Sequence, residues 1–187
     1  RDELDLAIQR RQLQADPRQA DARATEYDAG KQVSQSQLGL VLQHRLDRDS
    51  ELTARVYAGR RDLDNRLSIP LAVQQAPTSA GGIVDLDRSY SGVGLTYQRG
   101  MPLGQGRLRF SAGLELEQMR ERRRGYLNAL GARGDLKRDE DDSAQSVGLF
   151  AQGDWAINEH WSAVAGLRVS RVDFRVRDHF IRPGNPN

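Results

Sequence analysis

The sequence has no cysteine and no apolar run that approaches 18 residues, and aromatic residues make up only 6% of it. Without cysteine the chain cannot form disulfides, thiolate nucleophiles or cysteine metal sites. Without a long apolar run it cannot cross a bilayer as a helix. Neither sign of charge is in large excess, because 28 basic residues face 26 acidic ones for a formal net charge of +2. This balance argues against nucleic acid as a partner.

A length of 187 residues is that of one ordinary domain. The mean hydropathy of −0.70 is typical of a soluble protein. It does not exclude a membrane β-barrel, because half of each barrel strand faces a polar lumen and the loops are polar. The chain begins at Arg1 and ends in Pro-Gly-Asn-Pro-Asn. From these ends we expect a piece of a longer protein.

The clearest pattern lies in residues 145–174, where two runs of alternating apolar and polar residues meet at residues 158–160. Side chains alternate across a strand with a period of two, so the pattern predicts a β-hairpin with one apolar and one polar face. Each run is about ten residues, the length that a tilted strand needs to cross a bilayer. Trp155 and Trp161 flank the turn on the predicted apolar face, where a membrane strand places interfacial aromatics.

The same alternation recurs in four earlier runs, so the chain is predicted to have six strands. Leu38, Leu40 and Leu42 form the apolar side of the first run, and the other runs follow the same rule. The predicted strands cover residues 33–46, 51–61, 89–98, 107–120, 145–157 and 161–176.

The connections between these strands alternate in length. Short turns follow the first, third and fifth strands, whereas residues 62–88 and 121–143 are long connections of a kind uncommon in compact soluble domains. Tight periplasmic turns and long external loops are typical of outer-membrane barrels. We therefore predict an all-β fold, an antiparallel transmembrane β-barrel segment of about six strands. Six strands cannot close a membrane barrel, so we expect an open sheet with two unpaired edges.

The segment before the strands is predicted to differ from the rest. Residues 1–30 are polar and are expected to form an extracellular loop, with a short surface helix over Leu4–Gln14. Residues 31–187 are expected to form the partial barrel.

Charges within the strands test this interpretation, because an arginine that faces lipid at the bilayer midplane costs about 2–4 kcal/mol. His44 alone falls on the apolar side, beside a turn. All the other mid-strand charges fall on the polar side: Arg45, Arg55, Arg109, Glu115, Glu117, Asp154 and Arg168. A soluble sandwich or lipocalin-like barrel would sort its charges in the same way. Its core, however, would need bulkier residues than the many alanines on the apolar side.

Several segments resemble the barrel of a TonB-dependent outer-membrane receptor. Residues 121–155 end in an aromatic-Ala-Gln segment that runs to a tryptophan, and residues 161–170 form a strand with Ala-Gly-Leu-Arg near its end. This succession is similar to one that recurs through the family, although Val169 stands where an aromatic is more usual. Resemblance to receptors for iron chelates and similar small anionic cofactors is carried by residues 31–40, 57–70 and 81–97.

The resemblance implies an active-transport receptor in the outer membrane of a Gram-negative bacterium. Such a receptor binds an iron chelate or similar small anionic nutrient and imports it with energy from the TonB complex. Outer-membrane lipid and lipopolysaccharide would surround it, and the plug and TonB box of the family would lie outside these residues. The residues alone leave open a passive or structural outer-membrane barrel, such as a porin, adhesin or secretion channel. The sequence upstream of the chain would discriminate between the two.

Candidate chemistry is sparse. The three histidines are far apart in sequence, so we expect no shared metal site. The acidic run Asp139–Asp142 lacks the central glycine of a calcium-binding loop and is interpreted as a solvated loop. Glu115 and Glu117 share a strand face, but nothing marks them as an acid–base pair, and no Ser-His-Asp set is present. We therefore expect no enzyme activity and no cofactor.

Arginines are the best candidates for a binding role. Six are predicted to cluster where the second and fourth strands leave the membrane, at the starts of the long loops: Arg60, Arg61, Arg120, Arg122, Arg123 and Arg124. A guanidinium group binds a carboxylate through two parallel hydrogen bonds, and several in one mouth concentrate anions. The alternative is that they pair with nearby acidic residues or with lipopolysaccharide phosphates.

Overall fold

The computed structural model describes residues 21–183 and, before them, residue 14. The predicted helix Leu4–Gln14 lies outside the described residues except for Gln14. No helix in the described part is long and apolar enough to span a membrane. Residues 21–183 contain two short helices, α1 (Ala22–Glu26) and α2 (Leu71–Gln74). The remainder is dominated by six strands: β1 (Gly30–Arg45), β2 (Ser50–Arg66), β3 (Ile83–Leu103), β4 (Gly106–Ala129), β5 (Ala132–Ala156) and β6 (Ser162–Asp178).

The six strands form one antiparallel sheet in the order of the sequence. Each strand pairs with the strand before and after it, so β1 and β6 are the two edges of the described sheet. The predicted number, direction and order of the strands are confirmed, and the sheet is open as expected. We call the end with residues 46–49, 104–105 and 157–161 the turn end, and the opposite end the far end.

One register row shows how the sheet sorts its side chains. Leu40, Val56, Val93, Leu116 and Val147 pair in succession from β1 to β5, so all five lie on the same face. Each is between 44% and 65% exposed. We call this face, with its apolar band, the outer face, and the opposite face the inner face. The predicted polar-face charges, such as Arg55 and Glu115, lie on the inner face.

Nothing in the described part of the chain covers the apolar band. Only Tyr27 and Ile83 are buried apolar residues there, and both lie towards the far end. A soluble sandwich would pack a second sheet against these side chains. The described residues form a single layer and not the sandwich that the sequence left open.

The apolar band crosses the register rows obliquely. The row that begins at Leu38 continues through Ala58, Ser91, Gln118 and Gln145 and ends at Asp173. On β6 the last apolar residue of the band is Val169, four positions nearer the turn end. Four residues are about 13 Å along a strand, and five strand spacings are about 24 Å, which corresponds to a strand tilt of roughly 30°. A level band on tilted strands is what a membrane barrel requires.

The strands are longer than the sequence predicted, which corrects the predicted loops. β4 and β5 meet at a two-residue turn, Leu130 and Gly131, both with positive φ angles of 52° and 89°. Two consecutive residues of this kind are typical of a tight hairpin turn. The predicted loop over residues 121–143 is therefore a continuous hairpin, and the predicted loop over residues 62–88 shortens to residues 67–82. Alternation ends there because both faces are polar, yet the backbone pairing continues.

A polar network holds the far end together. Gln74 and Asn128 are fully buried. Gln74 Nε2 donates to the carbonyl oxygen of Ile69 at 2.6 Å, and Gln74 Oε1 accepts from the backbone nitrogen of Asn128 at 2.7 Å. Asn128 Nδ2 donates to the carbonyl oxygens of Tyr27 at 2.8 Å and Leu67 at 3.2 Å. We call residues 67–82 the cap segment, since this network fastens them over the tip of β4.

Candidate ligand-binding groove

The register divides the six predicted arginines between the two faces. Arg60, Arg120, Arg122 and Arg124 lie on the outer face, whereas Arg61 and Arg123 lie on the inner face. All six are within strands and none is at the start of a loop. The predicted single cluster is therefore wrong in its geometry, because neighbouring residues of a strand point to opposite faces. Their role in ligand binding stays a prediction.

The outer face beyond the apolar band carries columns of alternating charge. Acidic and basic residues occupy neighbouring strands: Asp85 and Asp87 on β3, Arg120, Arg122 and Arg124 on β4, Asp139 and Asp141 on β5, Arg175 and Arg177 on β6. Arg60 pairs with Asp87 at 3.1 Å, and Arg122 and Arg124 lie 3.6 and 3.8 Å from Asp139. Three of the six predicted arginines thus form ion pairs within the sheet.

The acidic run at residues 139–142 belongs to this arrangement. It lies within β5, so Asp139 and Asp141 face outward while Glu140 and Asp142 face inward. The predicted solvated loop is wrong here, since the run pairs with β4 and β6. Within the described residues, no group of three or more histidine, cysteine or acidic residues is placed to hold a metal ion.

The inner face contains a groove of about 370 Å³ that reaches from β1 to β6. Its lining includes Tyr57, Tyr90, Arg61 and Phe174, together with Arg88 and Glu117. Tyr57 donates its hydroxyl proton to Glu117 at 2.6 Å, and Tyr90 donates to Gln37 at 2.8 Å. The two rings are tilted, with centroids 6.4 Å apart. The groove therefore combines aromatic surface with hydrogen-bonding groups and cations.

Two glycines set the positions of the tyrosine rings. Tyr57 pairs with Gly92 across β2 and β3, and Tyr90 pairs with Gly59 two residues away. A Cβ atom at either glycine would lie 2.5 Å from the ring of its partner. Each ring therefore lies over its partner glycine, and any larger residue there would displace it.

The cations of the groove differ in their partners. Arg88 Nε donates to Glu121 at 2.6 Å, and Glu121 is only 8% exposed. Arg61 forms no ion pair or hydrogen bond with any residue of the described part. Farther along the inner face, Arg123 Nε and Asp142 Oδ1 are buried, and neither has a hydrogen-bond partner among the described residues. Arg61 is thus a free guanidinium beside two tyrosines, an arrangement suited to an anion.

Nearer the turn end, one carboxylate on the inner face links side chains from three strands. Glu115 on β4 accepts a hydrogen bond from Arg168 on β6 at 2.8 Å and forms an ion pair with Arg55 on β2. These side chains reach over the intervening strands β3 and β5. The resulting bridge links β2, β4 and β6 below the groove.

Sequence reasoning missed the two tyrosines as site residues. Tyr57 falls on the polar side of its predicted strand, which is unusual for an aromatic residue in the alternating pattern. The contact between each ring and a glycine of the next strand depends on register, and register is not visible from one strand alone.

The two tryptophans lie at the turn end, where they were predicted. Trp155 is on the outer face and donates its indole proton to the carbonyl oxygen of Leu103 at 3.2 Å. Trp161 lies in the turn before β6 and is 70% exposed. Their contact with a membrane interface stays a prediction.

Known proteins share this architecture. A family model described as TonB dependent receptor-like, beta-barrel, matches residues 3–186. The solved structure of the ferric citrate transporter FecA in its unliganded form is similar with a TM-score of 0.66 and 12% identity, over 80% of this chain and 22% of that one. The open form of the ferric-catecholate import receptor Fiu from E. coli K12 is similar with a TM-score of 0.62 and 10% identity, over 79% of this chain and 27% of that one. The chain thus spans about a quarter of each structure, and the likeness concerns the fold.

Proposed function

The chain belongs to the TonB-dependent receptor family, as a part of its β-barrel, and we propose that it forms one wall of an outer-membrane receptor for small anionic iron chelates. The β-barrels of this family reside in the outer membrane of Gram-negative bacteria. The exposed, oblique apolar band supports that placement for this chain, because its side chains would lie against lipid. Import with energy from the TonB complex, through a plug and TonB box outside these residues, is the part of the proposal that rests on the family.

The observation that carries the proposal is the free guanidinium of Arg61 in the inner groove. Iron chelates built from carboxylates or catecholates carry negative charge and several oxygen acceptors. Arg61 can bind such oxygens through two parallel hydrogen bonds, and the rings of Tyr57 and Tyr90 add aromatic surface to the same groove. The volume of the groove lies within the range of small-ligand sites. Transport of ferric citrate or a ferric catecholate, the cargoes in the names of FecA and Fiu, would suit this chemistry.

The alternative from the sequence is a passive or structural barrel. The family match supports a receptor over a porin, adhesin or secretion channel. We propose no catalytic role, since this family consists of transport receptors. An energy test separates the two classes: in cells that lack TonB, a receptor should still bind its ligand but should no longer import it, whereas a passive barrel should import it unchanged.

Two adjacent arginines provide a matched test of the groove. Arg61 faces the groove and has no ion-pair or hydrogen-bond partner within residues 21–183, whereas Arg60 faces outward and pairs with Asp87. In the receptor that carries this chain, Arg61→Gln should weaken binding of the chelate by about tenfold or more, because a charge-assisted hydrogen bond contributes roughly 1.5–3 kcal/mol. Arg60→Gln should leave binding unchanged. Uptake of radioactive iron, supplied at limiting concentration as ferric citrate or as a ferric catecholate, measures both.

Two results would contradict the proposal. One is equal uptake by the two variants and the wild type, which would mean that Arg61 does not meet the ligand. The other is wild-type protein that binds neither chelate, which would point to another cargo or to the passive barrel. Heat-dependent gel mobility confirms that each variant is folded.

A further inference from the structure

The outer face of β6 changes from apolar to charged between its two halves. Nearer the turn end the outward-facing residues are apolar: Ala163, Ala165, Leu167 and Val169. Beyond them every outward-facing residue is charged, and the inward-facing residues Val172, Phe174 and Val176 are apolar. These three side chains are 48%, 74% and 68% exposed. In the proposed barrel an inward-facing apolar surface cannot lie against lipid, so we expect it to meet an apolar group inside the barrel.

Phe174 ends a row of apolar and aromatic side chains on the inner face. Tyr90, Met119, Ala144 and Phe174 pair in succession from β3 to β6. Three strand spacings separate the first from the last, a distance of about 14 Å. Ala144 is small and lies between Met119 and Phe174, so the surface has a depression there. These four residues and Val172 all line the inner groove, and we call the five the apolar patch.

The apolar patch lies beside the free guanidinium of Arg61. Arg61 is two residues from Gly59, which pairs with Tyr90, so it lies about 7 Å farther along the sheet. The polar groups near the patch bind one another: Tyr57 donates to Glu117, Tyr90 donates to Gln37, and Arg88 donates to Glu121. Among the described residues the groove therefore offers an anion site beside an apolar surface, with few free hydrogen-bond donors.

We propose that the apolar patch binds an aryl group of the transported chelate while Arg61 binds its negative charge, so that the receptor selects aryl chelates over ferric citrate. The inference rests on the proposed function and narrows it. Aromatic rings pack favourably against other rings and against a thioether sulfur, which Tyr90, Phe174 and Met119 supply. Citrate has no aryl group, and its carboxylates would lose water against the patch without gaining hydrogen bonds there.

The test uses the receptor that carries this chain, reconstituted in lipid nanodiscs so that no detergent occupies the apolar patch. Phe174→Ser and Val172→Ser each remove apolar surface from the patch. Val164→Ser is the matched control, because Val164 lies on the inner face of the same strand, is 67% exposed and is outside the inner groove. None of these substitutions changes the net charge. Heat-dependent gel mobility checks that each variant is folded.

The probes, each titrated by calorimetry, are the ferric complex of 2,3-dihydroxybenzoate, ferric citrate, and the iron-free aryl anion 2-naphthoate. The wild type should bind the aryl complex at least about tenfold more tightly than ferric citrate. Phe174→Ser should weaken binding of the aryl complex about tenfold, which corresponds to about 1.4 kcal/mol and to roughly 55 Å² of apolar area returned to water. Val172→Ser should weaken it about threefold, because valine is smaller, and Val164→Ser should leave it unchanged. Binding of ferric citrate should be equal in all four proteins, and 2-naphthoate should follow the aryl complex.

Equal affinities of the wild type for the two iron complexes would overturn the inference, as would equal affinities of the wild type and Phe174→Ser for the aryl complex. A loss in Val164→Ser as large as in Phe174→Ser would also overturn it. The proposed function survives each of these results when Arg61→Gln still weakens chelate binding. A receptor that binds neither iron complex, but binds 2-naphthoate and loses it in Phe174→Ser, would contradict the iron cargo and leave the aryl site standing. A receptor that binds none of the three probes would contradict both.

Discussion

The two halves of a long strand such as β4 differ in the side chains on their faces, although backbone hydrogen bonds pair both halves with the neighbouring strands. The half near the turn end has one apolar and one polar face, whereas the far-end half is polar on both faces. On β4, residues 107–116 alternate, with leucines and Phe110 outward and charged or small residues inward. From Arg120 to Arg124 both faces are polar: Arg120, Arg122 and Arg124 face outward, and Glu121 and Arg123 face inward. The pairing with β3 and β5 continues without interruption through residue 125.

This difference shows that side-chain sorting and strand pairing have separate causes. The turn-end half must match a hydrocarbon solvent on its outer face, so its charges are confined to the inner face. In the proposed outer-membrane placement the far-end half has water on both sides, so polar side chains are tolerated on either face. Backbone groups need partners in both settings, and the same ladder supplies them.

A charge placed in the apolar band should have the largest effect. Leu114 lies on the outer face between Leu95 and Leu149. Leu114→Arg should destabilise the folded barrel by about 2–4 kcal/mol, since the guanidinium would face hydrocarbon. Ser34→Arg, on the outer face of the far-end half, should cost almost nothing. Urea titration of the receptor in phospholipid vesicles measures both, and equal costs would remove the distinction between the halves.

Loss of the Asn128 side chain should have the second-largest effect on stability, and the effect should be confined to the far end of the sheet. Asn128→Ala removes the hydrogen bonds to Tyr27, Leu67 and Gly131. A buried group left unpaired costs roughly 1–3 kcal/mol, so about 3 kcal/mol of local stability should be lost. Hydrogen exchange should accelerate in the cap segment while the turn-end half stays protected.

Asn158 is the matched control for Asn128. Its side-chain oxygen accepts from the backbone nitrogens of His160 and Trp161, both at 2.9 Å, in an exposed turn. Asn158→Ala should affect only that turn and by less, because water can replace the lost partners. Exchange that rises equally in both variants, or that spreads over the whole sheet, would contradict a separately held far end.

Alanine substitutions at two glycines test the same difference between the cap segment and the rest of the sheet, with a smaller expected effect on stability. A Cβ at Gly125 would lie 2.0 Å from the carbonyl oxygen of Ala80, a backbone atom of the cap segment. A Cβ at Gly39 would lie no closer than 3.7 Å to any atom. Gly125→Ala should therefore cost about 1–3 kcal/mol by displacing the cap segment, and Gly39→Ala should be tolerated. Protease cleavage within residues 67–82 measures the displacement, and a cap as resistant as the wild type would disprove it.

The smallest effect should be a dependence on pH at Lys137. Burial, and secondly the positive charge of Arg182, lower the pKa of Lys137 below its ordinary value of 10.5. Between the lowered pKa and 10.5 the unfolded chain binds more protons than the folded one, so stability should rise with pH through that window. The side chain donates to the carbonyl oxygens of Gln75 and Ala76, so the rise should appear in the cap segment.

The Lys137→Met variant serves as the reference for this measurement. The ratio of cap-segment exchange rates in the wild type and the variant should change with pH, because the methionine cannot titrate while the intrinsic pH dependence of exchange cancels. A ratio that stays constant across the window would show that the pKa of Lys137 has little effect on the cap.

Sequence pattern was most informative in the turn-end half. There the alternation in residues such as Leu38, Leu40 and Leu42 predicted six strands, one apolar face and the inward placement of Arg55 and Arg168. The polar character of residues 121–143 was also visible in the sequence, but it predicted a loop there and not the paired strands that the structure has. Alternation measures a difference between two faces, so it disappears wherever both faces meet the same solvent.

What the sequence determined by itself was a sheet with one apolar face, because hydrocarbon on one side and water on the other give a strand an alternating pattern. The family was indicated by the resemblance of several segments and not by that pattern. Only the tertiary structure decided which arginines belong together. Arg60 and Arg61 are neighbours in sequence but lie on opposite faces, whereas Arg120 and Arg175 are far apart in sequence and share a row. The inner groove and the cap network likewise join residues from separate strands. Such contacts depend on register, which long-range backbone pairing sets and which no single stretch of sequence records.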